Sequence, residues 1–144
     1  KDWVSNGALD IYQPDLCSSG GFTECKKIAA IIQAYNKMLI PHVWGSGIGL
    51  AASLQFIATL PSAPINQSSS EPLLEYDQSN HPFRLDLIYG GVDFEDGFVE
   101  IPDKPGIGVD VNYKIIEKYT GQQEEIEKYR EKANKRKKEV GNPY

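Results

Sequence analysis

Three titratable side chains raise the question of chemistry: Asp15 in "IYQPD", His42 in "MLIPH" and Glu75 in "EPLLEYD". Each closes a short apolar run just before a polar or glycine-rich loop. A histidine at such a place can gain and lose a proton near neutral pH. In a barrel of alternating strands and helices, reactive groups collect where strands end and loops begin. The ordinary alternatives are a satisfied structural histidine and an Asp15 that caps the approach to a helix. Glu71 competes with Glu75 for the third place; Pro72 and the Leu73–Leu74 pair favour Glu75. Trp44, two residues past His42, either walls a substrate pocket or simply packs. Asp10 reads as strand-flanking, and His81, next to Pro82, as an exposed loop residue.

The elements that must position these groups follow from periodicity. In "ALDIYQP", residues 8–14, Leu9 and Ile11 fall on one face and Asp10 and Tyr12 on the other, which predicts a short strand. "FTECKKIAAIIQAYNK" follows with Ile28, Ile31, Ile32 and Tyr35 in one helical stripe. "MLIPH" predicts a second strand. "IGLAASLQFIATLP" predicts a second helix on Leu50, Leu54, Ile57 and Leu60, stopped by Pro61. A third strand is expected near "EPLLEYD". Alternation of this kind argues for a parallel sheet in an α/β fold. No Gly-rich dinucleotide fingerprint is present, so a (β/α) barrel is the better expectation.

Composition narrows the function classes. The chain has 144 residues, 40% of them hydrophobic and 24% charged, with a net charge of −5. Nothing in that balance favours a nucleic-acid or membrane partner. Cys17 and Cys25 match neither a zinc spacing nor a disulfide framework, and predict reduced thiols in a cytoplasmic protein. After Asp77 the texture changes to short extended runs broken by Gly and Pro. "VNYKIIEKY" predicts a short helix. The tail beyond Gly121 is nearly all polar, with acidic residues first and basic residues last, as the helix dipole favours. A solvated helix or frayed end explains that tail, and no aromatic residues interleave its basic run as nucleic-acid binding would require. A full barrel takes about 250 residues. The expectation is therefore an incomplete barrel: the C-terminal part of a larger enzyme, whose first residues here, Lys1-Asp2-Trp3, lack an initiator Met.

"DIYQPDLCSSGGFTECKKIA", "IPHVWGSGIGLAASLQF", "EPLLEYDQSNHPFR" and "DGFVEIPDKPGIGVDV", in this order, resemble the C-terminal part of the enolase superfamily, mandelate racemase/muconate lactonizing subgroup. Within it the sequence is most similar to sugar-acid dehydratases and galactarolactone cycloisomerase-like enzymes. The resemblance covers roughly residues 7–118. It implies a modified TIM barrel, (β/α)7β, with Asp15, His42 and Glu75 at the ends of the sixth, seventh and eighth strands. It divides the chain into barrel residues 1–78, a segment 79–118 returning to an N-terminal capping domain, and a charged tail 119–144. It further implies Mg²⁺-dependent abstraction of the proton α to a carboxylate in an acid sugar or its lactone. His42 would be the base, Asp15 would orient it, and Glu75, protonated, would donate to the substrate carboxylate. β-Elimination would follow. Racemisation or epimerisation is the alternative within the family, and a non-catalytic fragment that associates with another chain is the alternative outside it. The family's metal ligands sit on earlier strands, so this chain is expected to supply none, and its partners are the missing N-terminal part and further copies in a homo-oligomer.

Overall fold

A computed structural model describes residues 1–60, 72–90 and 92–120, together with 127, 128, 131 and 135. Two compact units emerge, Lys1–Val111 and Asn112–Tyr144. The first opens with a short helix, α1 (Asp2–Ser5), and then forms a β-α-β unit. Strand β1 (Ile11–Tyr12) pairs in parallel with β2 (Met38–Leu39), Ile11 opposite Met38 and Tyr12 opposite Leu39. Helix α2 (Gly21–Ala34) makes the crossover that parallel pairing requires. Further backbone bonds extend the alignment on both sides: Met38 N–H to the Asp10 carbonyl, Ile40 N–H to Tyr12 and His42 N–H to Pro14.

The helix limits have local causes. Gly20 (φ 92°) leads into α2 in a left-handed conformation, where an added Cβ would meet Glu24 Cγ at 2.7 Å. Asn36 (φ 52°), a residue that tolerates this region, turns the chain after the helix. α2 therefore ends at Ala34, and Tyr35, expected in the apolar stripe, is exposed. Helix α3 (Gly47–Ala58) is capped by Ser46, whose hydroxyl accepts from Gly49 N–H at 3.2 Å. It is apolar nearly all round because it lies between two clusters. Leu50, Ala51 and Leu54 pack with Val43, Ile88 and Val92, while Phe56 packs with Leu16, Cys25 and Ala29. The expected stop at Pro61 lies outside the described residues.

The alternation expected over residues 8–14 is present: Tyr12, on one face, is 8% exposed, whereas Leu9 and Ile11, on the other, are 43% and 45% exposed. The crossover helix covers one face of the ladder, and that face carries Tyr12, packed with Val4 and Ile32. The Tyr12 hydroxyl is satisfied there, accepting from Leu9 N–H and donating to the Trp3 carbonyl. One strand expectation needs correction, at "EPLLEYD". Its described residues, 72–77, form no strand and join none of the two-stranded sheets. They are held instead by side chains: Leu74 and Tyr76 pack against the α3 core.

Beyond them, β3 (Ile88–Tyr89) pairs antiparallel with β6 (Asp110–Val111). Between these lies a hairpin of β4 (Phe94–Glu95) and β5 (Phe98–Val99), turned by Asp96 (φ 49°) and Gly97 (φ 86°). Two successive positive φ values are what a two-residue hairpin turn of this hand requires. This segment closes over α3: Leu85, Val99, Ile107 and Val109 join its core, and Gln55 donates to the Pro102 carbonyl at 2.8 Å. In the second unit, helix α4 (Tyr113–Thr120) occupies the position the sequence predicts; most of the charged tail lies outside the described residues.

Candidate active site

The parallel ladder brings the first two groups together. With His42 N–H bonded to the Pro14 carbonyl, His42 lies beside the residue that follows Pro14. His42 Nδ1 donates to Asp15 Oδ2 at 2.9 Å. An ionised carboxylate only accepts, so this bond places the proton on Nδ1 and assigns proton exchange to Nε2. The second oxygen, Asp15 Oδ1, accepts from Cys17 N–H at 2.7 Å and closes a tight turn into the α2 approach. The two Asp15 oxygens thus serve the histidine and this turn, while the N-cap of α2 is Gly20, with no side-chain cap bond. Partial burial pushes the Asp15 carboxyl up, but the His42 and Cys17 hydrogen bonds, the His42 charge and Ser18 outweigh it and hold it below its ordinary value. Cys17 and Cys25 are both free thiols, raised by burial and then by the Asp15 charge.

Glu75 reaches the same segment from the other side. Its Oε2 accepts from Val43 N–H at 2.9 Å. The alternation along each extended stretch explains the placement. Val43 is buried in the α3 core, so its neighbours His42 and Trp44 are turned away from that core. Leu74 and Tyr76 likewise pack inward, which turns Glu75 and Asp77 to the opposite side. Glu71 lies outside the described residues.

Trp44 is 68% exposed, and its ring lies 6.2 Å from that of His81. His81, expected as a freely exposed loop residue, is instead half-buried, with Nε2 3.5 Å from Asp77 Oδ2. The segment Gln78–Asn80 folds tightly enough to return His81 to Asp77, since Ser79 donates to both Asp77 oxygens at 2.7 Å. These bonds hold the Asp77 carboxyl below its ordinary value. In the sequence, the four-residue spacing of Asp77 and His81 was the available signal; without a helix over these residues it carried no weight.

Among the described residues, no group of three or more His, Cys, Asp or Glu side chains could hold a metal ion. No helix of the described residues is long and apolar enough to cross a membrane.

The profile of the enolase C-terminal domain-like family matches residues 1–115. The chain is 40% identical over 116 residues to a D-galactarolactone cycloisomerase of Agrobacterium fabrum, covering 81% of this chain and 31% of that protein. It is 35% identical over 123 residues to a D-galactonate dehydratase of Variovorax paradoxus, covering 81% of this chain and 30% of the relative. Its structure is similar to that of an enolase from Pantoea ananatis with bound D-gluconate and Mg, at a TM-score of 0.66 and 26% identity, covering 81% of this chain and 26% of the other. The chain thus spans about three tenths of the length of the curated relatives it matches. By the span of the family match and the relatives it resembles, the chain belongs to the enolase superfamily, as a C-terminal domain-like member.

Proposed function

We propose that this chain carries the proton-transfer dyad of an enzyme acting on acid sugars or their lactones. The observation that carries the reading is the 2.9 Å bond from His42 Nδ1 to Asp15 Oδ2 beside an Nε2 assigned to proton exchange. A proton α to a carboxylate is only weakly acidic, and a base that titrates near neutrality suits its removal. Asp15 fixes the tautomer and stabilises the imidazolium that forms on proton uptake. Glu75, anchored through Oε2 to Val43 N–H, directs its other oxygen to the substrate carboxylate. Loss of an oxygen substituent at the β carbon then gives a keto acid, with His42 returning its proton to the leaving oxygen.

Dehydration and lactone cycloisomerisation differ in which oxygen departs, and the relatives include one enzyme of each kind. Superfamily members are Mg²⁺-dependent; the ion supplies neutralisation of the enediolate charge. In this reading its ligands would come from barrel strands other than those described here. The experiment is a product screen: the protein as expressed from its gene is incubated with D-galactonate and D-galactarolactone in the presence of Mg²⁺. A 3-deoxy-2-keto acid, or a ring-opened isomer of the lactone, supports the reading if the His42→Ala variant yields neither. Equal product from that variant would sink it.

A further inference from the structure

We propose that His81 is a positioning residue that holds Trp44 as the wall against which the substrate's apolar C–H face lies. This rests on the acid-sugar reading above and adds a specificity element that the dyad does not contain. Four observations converge. Trp44 is turned to the same side as His42 by the buried Val43 between them, and its ring is largely exposed. Glu75 and Asp77 are likewise turned to one side by the buried pair Leu74 and Tyr76. Two links then join these segments: Glu75 to Val43 N–H, and His81 to the Trp44 ring at 6.2 Å with a 47° tilt. His81 is held through its backbone, its carbonyl accepting from Arg84 N–H at 3.2 Å, while its buried Nε2 lies 3.5 Å from Asp77 Oδ2 without a hydrogen-bond partner among the described residues. Arg84 completes the brace by donating from Nη1 to the Asp77 carbonyl at 2.9 Å.

An exposed indole is mobile unless something fixes it, and an aromatic neighbour at this separation is within the range of favourable ring contacts. The dyad performs the same proton transfer on any carboxylate it meets. A rigid indole next to it selects substrates that present a C–H face, as sugars do, and supplies binding rather than chemistry. The expected signature is therefore a rise in KM without loss of kcat.

The test uses a Trp3→Phe background, in which Trp44 is the one remaining tryptophan of the two in the chain. His81→Ala is expected to raise KM for D-galactonate or D-galactarolactone roughly 2–10-fold, the worth of one aromatic contact, with kcat within about twofold. Acrylamide quenching of the Trp44 emission should rise in the same variant. His81→Phe restores a ring without the nitrogens and should return both readouts toward the parent, a rescue that a general folding defect would not show. An unchanged KM in His81→Ala overturns the inference, as does a fall in kcat at constant KM. Titrating Trp44 emission with D-galactonate separates the two claims. A ligand-dependent change without turnover sinks the catalytic reading alone. Turnover with a KM indifferent to His81 sinks the inference alone, and neither binding nor turnover overturns both.

Discussion

Gly47 is where the loop carrying His42 and Trp44 enters helix α3, and Gly47→Ala should be the most costly single methyl group in this region. A Cβ at this position would lie 2.1 Å from the Arg84 carbonyl oxygen and 2.9 Å from Ile88 Cδ1. Ordinary C···O contacts begin near 3.3 Å, so the backbone must move apart by about 1 Å. It cannot do so freely, because Gly47 N–H donates to the Phe83 carbonyl at 2.8 Å, one residue from the clash. Overpacking of a filled site costs about 1–3 kcal/mol, and stretching a buried hydrogen bond adds about 1 kcal/mol, for a total of roughly 2–4 kcal/mol. With a urea slope of about 2 kcal/mol/M, the middle of the usual range, the unfolding midpoint should fall by roughly 1–2 M. Gly49→Ala is the internal control. Its one close contact would be Cys17 Sγ, at 3.1 Å, the end of a side chain that can rotate, with Ser46 Oγ at an ordinary 3.7 Å, and Ala gains helix propensity over Gly. Urea titration followed by circular dichroism compares the two. If Gly47→Ala is no less stable than Gly49→Ala, the close approach of α3 to the 83–88 segment is wrong.

Two further outcomes follow from the site's supports. Ser46→Ala removes the hydroxyl that accepts from Gly49 N–H, and should cost about 1 kcal/mol in urea unfolding, with Ser46→Asp keeping most of it; an unchanged Ser46→Ala midpoint would show the cap to be idle. For Asp15, whose folded-state carboxyl is held below its ordinary value of 3.8, the stabilisation is present above that value and disappears as pH falls through the folded one. The stability difference between the wild type and Asp15→Asn should therefore shrink on the acid side, as pH falls below 3.8. A difference that stayed constant through that acid range would contradict the assignment of the depressed group to Asp15.

The helices and the spacing of the dyad were legible because local rules govern them. Leu50, Leu54 and Ile57 declare the buried stripe of α3, and the break after each apolar run places Asp15 and His42 at corresponding points of adjacent strands. The face of β1 was not legible. Residues 9–12 carry apolar side chains at Leu9, Ile11 and Tyr12, so alternation alone cannot decide which side the crossover helix covers. "EPLLEYD" has strand-like composition, yet a strand needs a neighbour, and pairing is a property of the whole sheet rather than of seven residues. His81 was misjudged for a related reason: its contacts with Asp77 and Trp44 depend on a turn set by Ser79 hydrogen bonds, which no periodicity announces.

The most direct test of the central claim is removal of the substrate's α-proton. D-galactonate or D-galactarolactone carrying deuterium at the carbon next to the carboxylate is incubated with the protein and Mg²⁺ in ordinary water, and loss of that deuterium is followed by NMR and mass spectrometry. The account predicts loss of the label with the wild type, and a rate lower by about 10²–10⁴-fold in His42→Asn, the usual share of a general base, while the variant's circular dichroism stays unchanged. Asp15→Asn should lie between the two. Loss of the label in His42→Asn at the wild-type rate would contradict the account, because the proton would then be leaving to some group other than the one Asp15 orients.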